Sequence, residues 1–232
     1  MKPKTQKILA RDTNAKTVKG QKKGFITGIV YLSPYNISGK NLCPKASAGC
    51  AASCLNTAGR GRFQKIQEAR LKKTLSFLND TETFVSNLKK EIRKGVDYAK
   101  KKEMIFVCRL NGTSDVAWYK TGNIMQDNSD VQFYDYTPNL GRMLRFLRNE
   151  LPSNYHLTFS RKENNEAECD LVLSMGGNVA MVFNKIPTSY KGYEVINGDE
   201  TDLRFLDKKG VIVGLKAKGK GKKDQTGFVI HL

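Results

Sequence analysis

Residues 131–159, VQFYDYTPNLGRMLRFLRNELPSNYHLTF, contain a strand, a helix and a second strand in succession. The runs 131–134 and 155–159 are rich in β-branched and aromatic residues, which is typical of strands. Between them, leucines and Met143 recur on one face of residues 139–151, which predicts an amphipathic helix. Two strands joined by a crossover helix are the unit from which parallel sheets are built.

The same alternation extends along the chain in both directions. Further strands are predicted at 25–32, 104–108, 179–183, 211–215 and 228–232, and further helices at 63–78, after Asp80 or Thr81, and at 164–175. We therefore expect an α/β fold with a mainly parallel sheet and crossover helices, either doubly wound or an incomplete (β/α) barrel. Residues 1–24 are predicted to be a basic arm, and 25–232 a single domain that ends in a basic hairpin at 211–232.

The charge of the chain is strongly positive, with a formal net value of +18 over 232 residues. A basic periphery indicates a polyanion partner, and we expect nucleic acid to bind the arm and the lysine–glycine segment. The lysines concerned are Lys216, Lys218, Lys220, Lys222 and Lys223. A lysine-rich surface that serves only solubility is the alternative. No apolar run reaches the ~20 residues of a membrane span, and residues 1–24 lack a secretory signal, so we expect a cytoplasmic protein.

Three cysteines, Cys43, Cys50 and Cys54, lie within twelve residues, with the spacing C-x6-C-x3-C and small residues between them. In a reducing compartment, clustered thiols are more typical of metal ligands than of disulfides. We favour an iron–sulfur cluster of the four-iron type, because cysteine thiolates hold such clusters and three ligands leave one iron open. Zinc is the alternative, although it prefers four ligands. Cys108 and Cys169 are possible fourth ligands, but we favour buried core positions for both.

Polar residues follow several of the predicted strands. They are Asn111, Thr113, Ser114 and Asp115 after the strand 104–108, Asp135 after 131–134, and Ser160 and Arg161 after 155–159. Because the carboxyl ends of parallel strands meet at one edge of a sheet, we predict that these side chains face the cysteine loop as a rim for a substrate or cofactor. A pocket there should span ~300–1,000 Å³. The alternative for 111–115 is a set of turn and helix-capping side chains.

Long stretches of the chain after the basic arm resemble the bacteriophage family named for gene product eighty-eight. They include SPYNISGKNLCPKASAGCAASCLNTAGRGR at 33–62, RLNGTSD at 109–115, VQFYDYTP at 131–138 and GDETDLRFLD at 198–207. The resemblance implies a phage protein expressed in an infected bacterial cell, and it implies no particular activity.

The position of the three cysteines after the first strand is also similar, more distantly, to that in radical S-adenosylmethionine enzymes. This resemblance implies a partial β/α barrel, a four-iron cluster and S-adenosylmethionine bound at the open iron. The usual C-x3-C-x2-C spacing of those enzymes differs from that found here. Two functions follow: an iron–sulfur protein with an enzyme-like barrel acting on or near nucleic acid, or a non-catalytic nucleic-acid-binding protein whose metal staples the loop.

Overall fold

The computed structural model describes residues 7–11 and 15–232. Its helices are α1 (Ala15–Gln21), α2 (Ala48–Ala52), α3 (Gln64–Asn79), α4 (Thr81–Lys100), α5 (Leu140–Leu147) and α6 (Glu166–Ser174). Its strands are β1 (Leu9–Arg11), β2 (Phe25–Val30), β3 (Ile105–Arg109), β4 (Gln132–Thr137), β5 (Tyr155–Ser160), β6 (Val179–Phe183), β7 (Ser189–Tyr190), β8 (Tyr193–Asn197), β9 (Ile212–Lys216) and β10 (Val229–Ile230). The predicted alternation of strands and helices is confirmed from β2 to β6.

The strands form a mostly parallel, mixed sheet in the order β1-β2-β3-β4-β5-β6-β9-β8-β7. The strands from β2 to β8 in this order run parallel to their neighbours, whereas β1 at one edge and β7 at the other pair antiparallel. The sheet is not closed, because its two edges are β1 and β7. The α/β class and the mainly parallel sheet are therefore confirmed.

The helices that follow β2, β4 and β5 pack on one face of the sheet. Because β2 to β6 are added in one direction, right-handed crossovers deliver their helices to the same side. The main hydrophobic core joins Phe106, Phe133 and Phe159 of the strands to Leu88 of α4 and Val172 of α6. The sheet is open, and the predicted partial barrel resembling radical S-adenosylmethionine enzymes is not confirmed.

The other face of the sheet is covered by the turn 203–206 and by α1. Val107 and Tyr134 form a second, smaller core with Leu203, and Phe205 packs edge-to-face on Phe25 with ring centroids 5.5 Å apart. This cover was not predicted from the sequence. It fills the part of the face nearest the amino ends of β2 and β4.

The predicted basic arm is part of the fold wherever the structure describes it. β1 pairs with β2, and the backbone amides of Ile8 and Leu9 donate to the Glu91 carboxylate of α4. The ammonium group of Lys16 lies 2.8 Å from Asp199. The arm prediction is therefore wrong for 7–11 and 15–24, while 1–6 and 12–14 lie outside the described residues. Lys16 and Lys19 belong to the arm predicted to bind nucleic acid. Their ammonium groups instead donate hydrogen bonds to the backbone carbonyls of the 198–199 turn.

The last two predicted strands do not form a hairpin. β9 and β10 both pair with β6, each in parallel, on opposite sides of it. β5 pairs only with the first residues of β6, Val179 and Ala180, so the rest of that edge is free for β10. A tight hairpin cannot join two parallel strands, and the connection has to pass over the carboxyl end of β6. The hairpin prediction for 211–232 is wrong for this reason.

Candidate metal centre

The cysteine loop, residues 43–54, connects β2 to α3 on the carboxyl side of the sheet. Its middle forms the short helix α2, for which the Ser47 hydroxyl is the amino-terminal cap and accepts a hydrogen bond from the Cys50 amide at 3.2 Å. The loop then turns at Cys54, whose sulfur accepts from the Asn56 amide at 3.5 Å. Small residues between the cysteines allow this tight path.

The three thiols of the loop are partly buried and close enough to influence one another. Burial raises the pKa of Cys43 to about 11 and of Cys50 to about 12, and in both cases the Cys54 thiolate adds to the shift. Burial also raises the pKa of Cys54. With no cation between them the thiols are held neutral, and a metal would have to displace their protons.

One buried cation, Arg70 of α3, lies beside the loop. Its charge lowers the pKa of Cys54, against the larger effect of burial. The guanidinium donates to the Asn56 carbonyl at 3.2 Å and lies 5.0 Å from the centre of the Tyr31 ring. The sequence does not single out this arginine, because it sits in a helix rich in charged residues and only tertiary packing brings it to the cysteines.

The loop after β3 packs directly against the cysteine loop. The Cys43 thiol donates to the Thr113 carbonyl at 3.8 Å, and the Asp115 amide donates to the Leu42 carbonyl at 2.8 Å. The Thr113 hydroxyl donates to the Leu32 carbonyl. The loop after β3 therefore reaches the cysteines mainly through its backbone.

The loop after β5 contacts the other side of the cysteine loop. The Glu163 carboxylate accepts from the Ser47 hydroxyl at 2.6 Å and from the Gly49 amide at 2.8 Å. Arg161 donates to the carbonyls of Gly227 and Phe228, which ties the segment before β10 to the same place. The Arg161 side chain is thus bound to backbone carbonyls, and the loop after β5 connects the cysteine loop to the segment before β10.

Most side chains of the predicted rim bind one another rather than facing an open site. Asp135 is completely buried and accepts from the Asn111 amide at 2.7 Å and from the Tyr155 hydroxyl at 3.0 Å. The side-chain oxygen Oδ1 of Asn111 in turn accepts from the Ser114 hydroxyl and from the Trp118 indole. The turn and capping interpretation of 111–115 fits these contacts.

Asp115 forms a buried ion pair with Arg142 of α5, with side chains only 3% and 5% exposed. The Thr137 hydroxyl donates to the same carboxylate at 2.9 Å. Burial raises the pKa of Asp115 in spite of the arginine. The backbone carbonyl of Ser160 accepts from the Asn165 side chain. The contacts of Ser160 and Asp115 thus support the loops that hold the cysteines.

The lysine-rich segment is folded against the cysteine loop. Its centre is a short 3₁₀ helix, Gly219–Lys223, called here the lysine turn. A Cβ added at Gly219 would lie 3.0 Å from the Cβ of Ala58, and one at Gly221 would lie 3.4 Å from the Cβ of Ser53. Lys218 is bound to Asp199 at 2.7 Å, so the five predicted lysines are not equivalent.

In a comparison with known proteins, a family model described as Gene product 88 matches residues 7–232 of the chain. The chain belongs to the Gene product 88 family. This is a family of phage gene products, as the resemblance over most of the chain predicted. No curated protein and no solved structure matches the chain. The resemblance to radical S-adenosylmethionine enzymes gains no support from these comparisons.

In this Gene product 88 protein, Cys108 is fully buried in the main hydrophobic core, as is Cys169. Both are therefore packing residues, and the interpretation of Cys108 as a fourth ligand does not fit its position. Within the described part of the chain, no group of three or more His, Cys, Asp or Glu side chains is arranged to hold a metal ion. The three loop thiols influence one another's pKa, but they are not arranged to bind a single metal ion.

A charged cluster that the sequence did not suggest lies on the sheet face opposite the crossover helices. Arg109 forms an ion pair with Asp202 at 2.8 Å and stacks on the Tyr136 ring, with its guanidinium 4.7 Å from the ring centre. The acidic turn 199–202 is engaged in ion pairs, since Asp202 binds Arg109 and Asp199 binds Lys16.

Among the surface cavities formed by described residues of this Gene product 88 protein are two that include no residue of the predicted rim. The larger, about 500 Å³, is a groove at the start of α3 lined by Phe63, Gln64, Lys65 and Glu68. The smaller, about 150 Å³, lies at the carboxyl ends of β6 and β9. No described helix is long and apolar enough to cross a membrane.

Proposed function

We propose that this protein binds an iron–sulfur cluster through Cys43, Cys50 and Cys54. The observation that carries the proposal is the mutual influence of three partly buried thiols on one loop, with the buried cation Arg70 beside Cys54. Thiolates at these positions would repel one another, so a positively charged group bound between them would stabilise the deprotonated form.

The chemistry of the donors favours a cluster over zinc. Structural zinc is usually held by four ligands, and no fourth cysteine is at hand, since Cys108 and Cys169 are in the core. The two histidines are also elsewhere, His156 in β5 and His231 after β10. A four-iron cluster with three protein ligands keeps one iron open and supplies electron-transfer or Lewis-acid chemistry when bound.

The chain itself supplies the surroundings of such a cluster. Arg70 places a fixed positive charge against Cys54, which stabilises the negative charge of coordinated thiolates. The partial barrel is part of the proposal, because β2 to β6 are added in one direction and the cysteine loop follows the first parallel strand. Binding of S-adenosylmethionine remains a prediction. Three of the residues predicted to face this cofactor, Asn111, Asp115 and Asp135, are bound to neighbouring side chains.

The proposal is tested by anaerobic reconstitution with iron and sulfide, followed by iron, sulfide and zinc analysis and an absorption spectrum. We expect a brown protein with about four irons per chain. The variant Cys43→Ala/Cys50→Ala/Cys54→Ala should bind no cluster. Cys169→Ala, which removes a buried thiol in the core, is the matched control and should keep it.

Three results would contradict the proposal. A colourless protein that carries one zinc per chain would replace the cluster by a zinc site on the same loop. A protein that takes up neither metal, or a triple variant that still binds iron, would exclude a metal centre at these cysteines.

Nucleic-acid binding is the second candidate function, and the position of two basic turns favours it. The arginine turn, Gly59–Arg62, and the lysine turn lie on either side of the segment that follows Cys54. Arg60, Arg62 and the lysines of the lysine turn are exposed. Next to them Phe63 is 54% exposed and could stack on a base. Positive charge and an aromatic ring are thus concentrated around the cysteine loop.

Binding to single-stranded DNA or RNA is expected at a Kd of roughly 10⁻⁴–10⁻⁶ M, with little dependence on sequence. Neutralising the two arginines together with Lys220, Lys222 and Lys223 should flatten the slope of log affinity against log salt by about 0.7 for each phosphate that is no longer neutralised. Neutralising five exposed lysines of and after α4 removes the same charge at a distance and should leave the slope unchanged. Those lysines are Lys90, Lys94, Lys100, Lys101 and Lys102. Equal slopes for the two variants would exclude the basic turns as the binding surface.

A further inference from the structure

The smaller cavity lies where three parallel strands end, beside the lysine turn. Its walls come from Asn184, Lys216, Ala217, Lys222, Val229 and His231. About 150 Å³ is below the ~300 Å³ at which small-molecule pockets begin, so the cavity accepts a chemical group rather than a whole nucleotide.

The sheet topology holds these residues in place. Ile230 pairs with Phe183 at the end of β6. The side chain of Asn184 binds the Leu232 backbone on both sides, accepting from its amide at 3.2 Å and donating to its carbonyl at 3.4 Å. The backbone of His231 is therefore held between the paired Ile230 and the hydrogen-bonded Leu232, and His231 contributes to the cavity lining.

The cations of the cavity are not neutralised by the described part of the protein. Neither Lys216 nor Lys222 forms an ion pair with a described carboxylate, whereas Lys218, between them in the sequence, is bound to Asp199. The nearby negative charge is that of Asp199, and both of its carboxylate oxygens are engaged. One binds Lys218, and the other accepts a hydrogen bond from the Lys216 backbone amide. Two exposed lysines and an exposed histidine thus contribute to the lining of one small cavity. Such side chains are typical ligands of phosphate.

We propose that this cavity binds one phosphate of a nucleic-acid backbone through Lys216, Lys222 and His231. The inference deepens the nucleic-acid candidate and does not depend on the metal. A phosphate bound here would lie next to the lysine turn, whose Gly221 packs on Ser53 of the cysteine loop. The bound strand would then pass the loop and reach the arginine turn beyond it.

The two histidines of the chain make the proposal directly testable by NMR, because each gives separate ring signals. A short oligothymidine is titrated into the protein at constant ionic strength, and inorganic phosphate and sodium chloride are titrated separately. We expect a saturable shift of the His231 signals with the oligonucleotide and with phosphate, and none with chloride. The His156 signals, from a ring packed against Phe146, should not move.

Variants give the second readout. Lys216→Ala/Lys222→Ala should weaken the oligonucleotide affinity seen at His231 by about tenfold or more. Lys101→Ala/Lys102→Ala removes the same charge at the end of α4 and should have no such effect. The proposal is overturned if His231 does not respond to the oligonucleotide, if it responds only to inorganic phosphate, or if the two variants behave alike. Iron binding is measured separately, so a protein that binds no iron but shows the expected His231 response would contradict only the metal proposal.

Discussion

Replacing Asp115 by alanine is expected to lower the free energy of unfolding by about 3–5 kcal/mol. The carboxylate and the Arg142 guanidinium are both almost completely buried, at 3% and 5% exposure. Without Asp115 the arginine charge stays in the core with no counter-charge, and the Thr137 hydroxyl loses an acceptor. Chemical denaturation of the wild type and the variant measures the difference.

A surface ion pair provides the matched control. Arg93 and Asp130 also form an aspartate–arginine pair, but their side chains are 43% and 52% exposed. Asp130→Ala should change stability by no more than ~1 kcal/mol, because water solvates the arginine that remains. Similar losses in Asp115→Ala and Asp130→Ala would contradict the view that the buried pair supports the loop after β3.

The second large effect is expected from Gly49→Ala in α2. The added Cβ would lie 2.2 Å from the Thr226 hydroxyl oxygen and 2.8 Å from a Glu163 carboxylate oxygen. The helix must move away from both, which weakens the bond between the Gly49 amide and Glu163. We expect a loss of about 1–3 kcal/mol in stability and, on the cluster proposal, a large fall in iron per chain after reconstitution.

Gly141→Ala is the control for this change. Gly141 is exposed in α5, and a Cβ there would meet nothing closer than the Asn139 side chain at 3.5 Å. Alanine is favoured over glycine in helices, so this variant should gain about 0.5–1 kcal/mol and keep its iron. A Gly49→Ala protein with normal stability and iron content would show that the docking of α2 does not position the cysteines.

The sequence alone determined the parallel strands and their crossover helices. Strands such as β5 and β6 and the helix α4 were predicted close to their observed bounds, because their apolar residues repeat with the period of the element. The family was also recognisable from contiguous motifs. The short strand β1 has no such repeat, and its pairing with β2 depends on contacts with Glu91 far along the chain.

Only the tertiary structure decided which polar residues meet. Asn111 follows β3 as expected, whereas Asp135 lies inside β4 rather than after it. The two side chains bind one another because both are buried and unpaired polar atoms are costly there. Arg70 reaches Cys54, and the lysine turn reaches the cysteine loop, across long sequence separations. The pattern of residues along the chain sets each element, whereas the neighbours of a side chain depend on how distant elements pack. The cysteine spacing was therefore readable from the sequence, and the cation beside it was not.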